Sequence, residues 1–168
     1  QESGVDPATF EGSAGDVRAA IQQAKRDRSS RLNLGYDRFA DGQLSDSWAT
    51  GIFPNVQIGC HPEAIFLMRF MPHETDPERF WYDTMTLLFP VDDPDYCPPG
   101  WMGLPEGTDA TGTVRPKTET FLLNEDPGLG LVLNQDADFL PSVQEGMRSK
   151  AFQGQLWGEQ EQRLRHFH

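Results

Sequence analysis

The chain is poor in the residues that several protein classes require. It has only two cysteines, Cys60 and Cys97, in 168 residues, so it is no disulfide scaffold, and a reducing, cytoplasmic setting is the expectation. Positive charge is scarce: 14 Lys and Arg stand against 26 Asp and Glu, for a net charge of −12. Such a balance argues against a nucleic-acid partner or an anionic membrane surface, both of which need basic patches. No apolar run approaches the length of a membrane span, and the first residues lack the basic and apolar regions of a signal peptide. The length allows one domain with a sizeable core. An opening at Gln1 and an ending in "RLRHFH" read as a piece of a longer protein.

What is present begins with an S-x-x-D capping box at Ser13 and Asp16, followed by Val17, Ala20, Ile21 and Ala24 at helical spacing. This predicts a helix to about Arg28, and then a connection over 29–45. Between Asp46 and Pro90 the period changes to two. "SWATGIF", "NVQIGC", "AIFLMRFM" and "RFWYDTMTLLF" read as strands of an antiparallel meander, with Phe66, Met68 and Phe70 on one face and Arg69 on the other. Residues 90–118, rich in Pro, Gly and Asp, form a long loop or lid. "TETFLL" and "LGLVL" read as two more strands around the turn "NEDPG". A helix then carries Phe139, Leu140, Val143, Met147 and Ala151, and another begins around Trp157 and Gln160. The order predicts an α+β fold in which an antiparallel sheet wraps a long C-terminal helix.

Local motifs for catalysis are few. The four histidines, His61, His73, His166 and His168, give no H-x-x-x-x-H or H-E-x-x-H spacing, and no C-x-x-C exists. Surface or packing roles are expected for them. No nucleophile elbow or glycine-rich phosphate loop is present either. Two acids remain, Asp136 and Asp138, at the predicted change from strand to helix. Pro141, best tolerated in a first helical turn, makes Asp138 the better N-cap. Projection at 100° per residue puts Asp136 on the apolar stripe, facing the core. From the residues alone, a cap or a functional carboxylate both remain open for Asp136.

Several features of the C-terminal part occur together. Asp136 stands eight residues before Gln144; "Q-x-G-M-R-S" follows at Gln144, Gly146, Met147, Arg148 and Ser149; "F-x-G" falls at Phe152 and Gly154; and "E-x-R-L-R-H-F-H" starts at Glu161. "GIFPN" at Gly51 to Asn55 heads into a strand. In this combination the chain resembles the C-terminal part of the catalytic domain of the large (α) subunit of Rieske-type aromatic-ring-hydroxylating oxygenases. The resemblance implies a helix-grip fold and a mononuclear non-haem iron(II) held by two histidines and one carboxylate, with Asp136 as the carboxylate. It implies Phe53, Val132, Leu133 and Leu140 as candidate pocket residues, and a small aromatic or apolar substrate with O2 as co-substrate. It also implies NAD(P)H as the electron source, a reductase and in some cases a ferredoxin, a [2Fe–2S] cluster in a separate Rieske domain, and a homo-oligomer of α subunits. Neither the Rieske motif nor the two-histidine segment lies within these residues, so the isolated chain is expected to hold no stoichiometric iron and to be inactive. The rival readings are a non-catalytic helix-grip domain that binds a small apolar ligand, and a structural piece that packs on a partner.

Overall fold

The computed structural model describes residues 5–6, 8–93, 96–105, 107–123, 125 and 129–167. Helix α1 spans Ala14–Leu32 and begins as the capping box predicts. The Ser13 amide donates to Asp16 Oδ2 at 2.8 Å, and the Asp16 amide donates to Ser13 Oγ at 3.3 Å. The Ser13 hydroxyl also donates to Asp16 Oδ2 at 2.6 Å, and this bond first, with that from the Ser13 amide, favours the ionised form and holds the Asp16 carboxyl below its usual value. The helix runs four residues past the expected Arg28. Its last turn is kept by buried Ser29, whose Oγ accepts from the Tyr36 amide at 2.9 Å, and it ends where Asn33 adopts a left-handed conformation. The segment expected as a plain connection holds a 3₁₀ turn, Tyr36–Arg38, and a short helix α2, Asp41–Ser45. Leu44 of α2 is fully buried, so this connection is packed.

The meander is as expected: β1 Trp48–Ile52, β2 Val56–Cys60, β3 Ala64–Pro72 and β4 Phe80–Leu88, antiparallel and in sequence order. Directly opposed residues share a face. The register therefore puts Phe66, Met68 and Phe70 with Thr86, Thr84 and Tyr82, and puts Arg69 opposite Asp83 on the other face. Arg69 and Asp83 form an ion pair at 2.6 Å.

The loop over 90–118 has no strand or α-helix among its described residues, only a 3₁₀ turn at Gly100–Met102. It is anchored. Val91, Tyr96 and Ala110 are buried together against Leu32, Leu34 and Leu88, and the Arg28 guanidinium lies over the Tyr96 ring at 4.9 Å.

Helix α3, Gly130–Met147, and the segment before it correct five expectations. "LGLVL" is the start of this helix and not a strand, and "TETFLL" forms no strand either. Asp138 lies well inside the helix, so it is no N-cap; the cap position is Leu129, without a side-chain cap bond. Pro141 sits in the helix interior instead of the first turn. The predicted inward stripe is largely outward: Phe139, Val143 and Met147 are exposed, while Ala137 is buried. The reason is a close backbone approach. A Cβ on Gly103 would lie 2.6 Å from the Leu129 carbonyl oxygen, and one on Gly130 would lie 2.8 Å from Gly103 Cα. Both glycines have positive φ, and their contact sets where α3 begins and how it is rotated. Helix α4, Gln162–Phe167, starts later than expected, leaving Trp157 and Gln160 outside it. Of the "NEDPG" turn only Glu125 is among the described residues, and His168 also lies outside them.

One consequence of packing concerns pH. His61, in the β2–β3 turn, sits 3.4 Å from Ser47 Oγ; burial lowers its basicity, an effect that Lys25 adds to and Glu63 opposes. Because the unfolded chain protonates this imidazole more readily than the folded one, stability is expected to rise with pH through the window below the ordinary value of 6.5, and to be lost as pH falls there. Urea-unfolding midpoints measured between about pH 5 and 7.5 should show this slope, and His61→Asn should reduce it. An unchanged slope in the variant would remove His61 as its source.

Candidate functional site

Helix α3 is tied near both ends to β4 and the connection before it, β4 carrying Tyr82 and Thr86 on the same sheet face as Phe70. Its start is tied to that face through the 3₁₀ turn: Thr86 Oγ1 donates to the Met102 carbonyl at 3.1 Å, and Met102 is buried beside the Gly103–Gly130 approach. Its end is tied to the β3–β4 connection. Gln144 Nε2 donates to the Glu78 carbonyl at 2.7 Å, and Arg148 pairs with the Glu78 carboxylate at 2.9 Å.

Between these ties lies Asp136. Its side chain is exposed, which corrects the core-facing projection. Its charge nevertheless reaches the half-buried Tyr82 phenol of β4. Burial first, and the Asp136 carboxylate second, push the Tyr82 hydroxyl above its ordinary value, so it remains a protonated donor. Tyr82 stacks on Phe70 with ring centroids 4.8 Å apart and planes at 11°, and Phe70 meets Phe80 at 6.3 Å. This aromatic row leads into an open groove of about 390 Å³ lined by Asn55, Phe70, Pro72, Phe80 and Gln144. Asn55 Nδ2 donates to the Phe70 carbonyl at 2.8 Å, which fixes the groove wall.

The candidate pocket residues separate into two groups. Leu133 and Leu140 are half-buried and lie one helical turn either side of Asp136. Val132, also one turn away, is exposed. Phe53 is three-quarters exposed at the β1–β2 turn, and its ring contact is with Phe167 of α4 at 5.5 Å, not with α3. A second cavity, about 460 Å³, lies within the 93–111 loop and is lined by Tyr96, Cys97, Leu104 and Ala110. None of the candidate residues borders it, so its size does not make it the site.

Sequence reasoning did not single out Tyr82, Phe80, Asn55 or Gln144 as site residues. The period-two pattern put Phe70 on the correct face, but nothing local told which residues of β4 oppose α3.

As a metal site the described residues are incomplete. No three His, Cys, Asp or Glu side chains among them converge on one point. His73 is engaged elsewhere, its Nδ1 accepting the Asp76 amide at 3.2 Å and its ring stacked on Trp81. Asp136 fits one carboxylate position of a mixed imidazole–carboxylate set, and the imidazoles would have to come from other residues. Two residues before it, Asn134 Oδ1 is buried without a hydrogen-bond partner among the described residues. Such an atom carries a cost that a further contact would relieve.

Comparison with known proteins returns one family, described as the ring hydroxylating alpha subunit (catalytic domain), whose model matches residues 4–168. No curated protein and no solved structure matches the chain. Among the described residues no helix is long and apolar enough to cross a membrane.

Proposed function

Since the chain belongs to the ring-hydroxylating alpha-subunit family, within its catalytic domain, we propose that it supplies the carboxylate side of an oxygenase site for a small aromatic or apolar substrate. The family makes the parent an oxidoreductase. What supports the finer reading is the place of Asp136 in α3, between the ties at the two ends of that helix and near enough for its charge to act on Tyr82.

In this reading Asp136 is the carboxylate ligand of a mononuclear iron(II), completed by two histidines from outside these residues. When bound, the metal offers open positions for O2. Electrons come from NAD(P)H by way of a reductase, in some systems a ferredoxin, and a [2Fe–2S] Rieske cluster on a separate domain. The parent is a homo-oligomer of α subunits.

The chain's own residues have distinct tasks. Leu133 and Leu140 place apolar surface one helical turn either side of the carboxylate. Phe70 and Phe80 offer ring faces against which a planar substrate stacks. Tyr82, kept protonated, directs an O–H donor into the same space, and it orients a carboxylate or a substrate oxygen without giving up its proton. Gln144 and Arg148 hold the end of α3 to Glu78, so the helix does not roll away from the sheet.

The test is isotopic. The α subunit bearing this segment, supplied with reductase, NAD(P)H, ¹⁸O2 and a panel of aromatic compounds, should place ¹⁸O in a hydroxylated product. Aromatic binding without any incorporation would overturn the oxygenase reading and leave the ligand-binding domain.

A further inference from the structure

Helix α3 has little of its own to start it. Its cap position, Leu129, makes no side-chain cap bond, its first turn holds no acidic residue, and it opens on Gly130. Pro141 lies in its interior. A proline there has no amide to give to the Ala137 carbonyl, and its ring crowds that turn, so the helix is weakest between Asp136 and Gln144. The two ties of α3 therefore act on different stretches. The bonds of Gln144 and Arg148 to Glu78 hold the part beyond Pro141. The part that carries Asp136 is held at its start, by the 90–118 loop. There Met102 is 1% exposed, and Gly103 packs backbone to backbone against Leu129 and Gly130.

We infer that this loop sets the position of Asp136 and that Thr86 is the positioning residue through which it does so, a role that rests on Asp136 being the proposed carboxylate ligand. Thr86 Oγ1 donates to the Met102 carbonyl at 3.1 Å. Gly103 follows directly, so no slack separates this bond from the glycine contact. Both glycines have positive φ, and a Cβ on either would clash with the other segment's backbone. With no side chain between them to absorb a shift, a movement of the loop passes to the first turn of α3. Asp136 stands six residues further on, before the proline. Thr86 and Tyr82 lie on one face of β4, four residues or about 13 Å apart. The strand that fixes the loop thus also carries the phenol that the Asp136 charge reaches. The rest of the loop is itself held, by Val91, Tyr96 and Ala110 against Leu32, Leu34 and Leu88.

In the full α subunit Thr86→Val keeps the side-chain shape and removes the hydroxyl, whereas Thr86→Ser keeps the hydroxyl. Two quantities are read: hydrogen exchange along α3 after the mononuclear iron is stripped, and the rate at which iron leaves the loaded protein into a chelator. Thr86→Val should speed exchange over 131–140 and iron release each at least about threefold, the scale of one lost hydrogen bond. Exchange over 142–147 and the [2Fe–2S] cluster content should stay as in the parent. Thr86→Ser should restore both rates, and Thr84→Val, the same change two residues along the same face, should alter neither. Unchanged exchange in Thr86→Val overturns the inference, as does acceleration that spreads past Pro141 or that Thr86→Ser fails to reverse. Faster exchange with unchanged iron release also overturns it, where Asp136→Ala has lost its iron, because the loop then supports the helix without positioning a ligand. Iron kept in full by Asp136→Ala overturns the ligand reading instead, whatever the exchange pattern.

Discussion

Alanine in place of Asp136 is expected to abolish oxygenation by the full α subunit, to remove its mononuclear iron, and to leave the [2Fe–2S] cluster in place. The expectation follows from the functional proposal and from where α3 puts this carboxylate. A facial set of two imidazoles and one carboxylate loses its only charged ligand, and a mononuclear site then has two neutral donors. Metal analysis should read one iron fewer per subunit, while the visible spectrum of the cluster is unchanged. Asp138→Ala is the control, and the fold alters what it should do. Had Asp138 been an N-cap, its loss would cost about 1 kcal/mol. As an exposed residue inside α3 it should cost less than about 0.5 kcal/mol, the usual range for surface substitutions, with activity kept. Full iron and activity in Asp136→Ala would show that this carboxylate is not the ligand. Loss of both on changing Asp138 instead would move the ligand two residues along the chain.

The second large effect is on stability. Lys25 Nζ of α1 contacts Glu63 Oε1 at 2.7 Å in the β2–β3 turn, with Lys25 17% and Glu63 7% exposed at the side chain. The second oxygen, Glu63 Oε2, is buried and has no hydrogen-bond partner among the described residues. Lys25 is thus the principal compensation for a carboxylate held out of water. Removing one member of a buried pair typically costs about 3–5 kcal/mol, whereas replacing both by apolar residues is often neutral. Lys25→Met should therefore lower the urea midpoint severely, and Lys25→Met combined with Glu63→Leu should recover most of the loss. Lys25→Arg keeps the charge and should stay within about 1 kcal/mol of the parent. If Lys25→Met alone cost under about 1 kcal/mol, or the double change were no better than the single one, the pair would not be what joins α1 to the sheet.

What could be read from the chain without its fold was local. The capping box at Ser13 and Asp16 involves neighbours three residues apart, and the helix formed there as expected. The strands were legible because alternation of apolar and polar residues directly encodes which side chains share a face, as Phe66, Met68 and Phe70 do. The motifs around Asp136 and Gln144 pointed to the family that the match over residues 4–168 shows.

The start of α3 was decided by tertiary structure. "LGLVL" followed by two acids and Pro141 has the local form of a strand, a cap and a first turn. In the fold, the backbone of Gly130 meets the backbone of Gly103, and that contact begins the helix several residues earlier. The same holds for the face α3 presents. Its apolar stripe was visible in the sequence, yet Phe139, Val143 and Met147 remain exposed, and the small Ala137 is the residue that is covered. Periodicity identifies an apolar face; only contacts between residues distant in sequence determine what lies against it. The ties of Gln144 and Arg148 to Glu78 and the burial of Glu63 beside Lys25 are contacts of that kind, between residues that only the fold brings together.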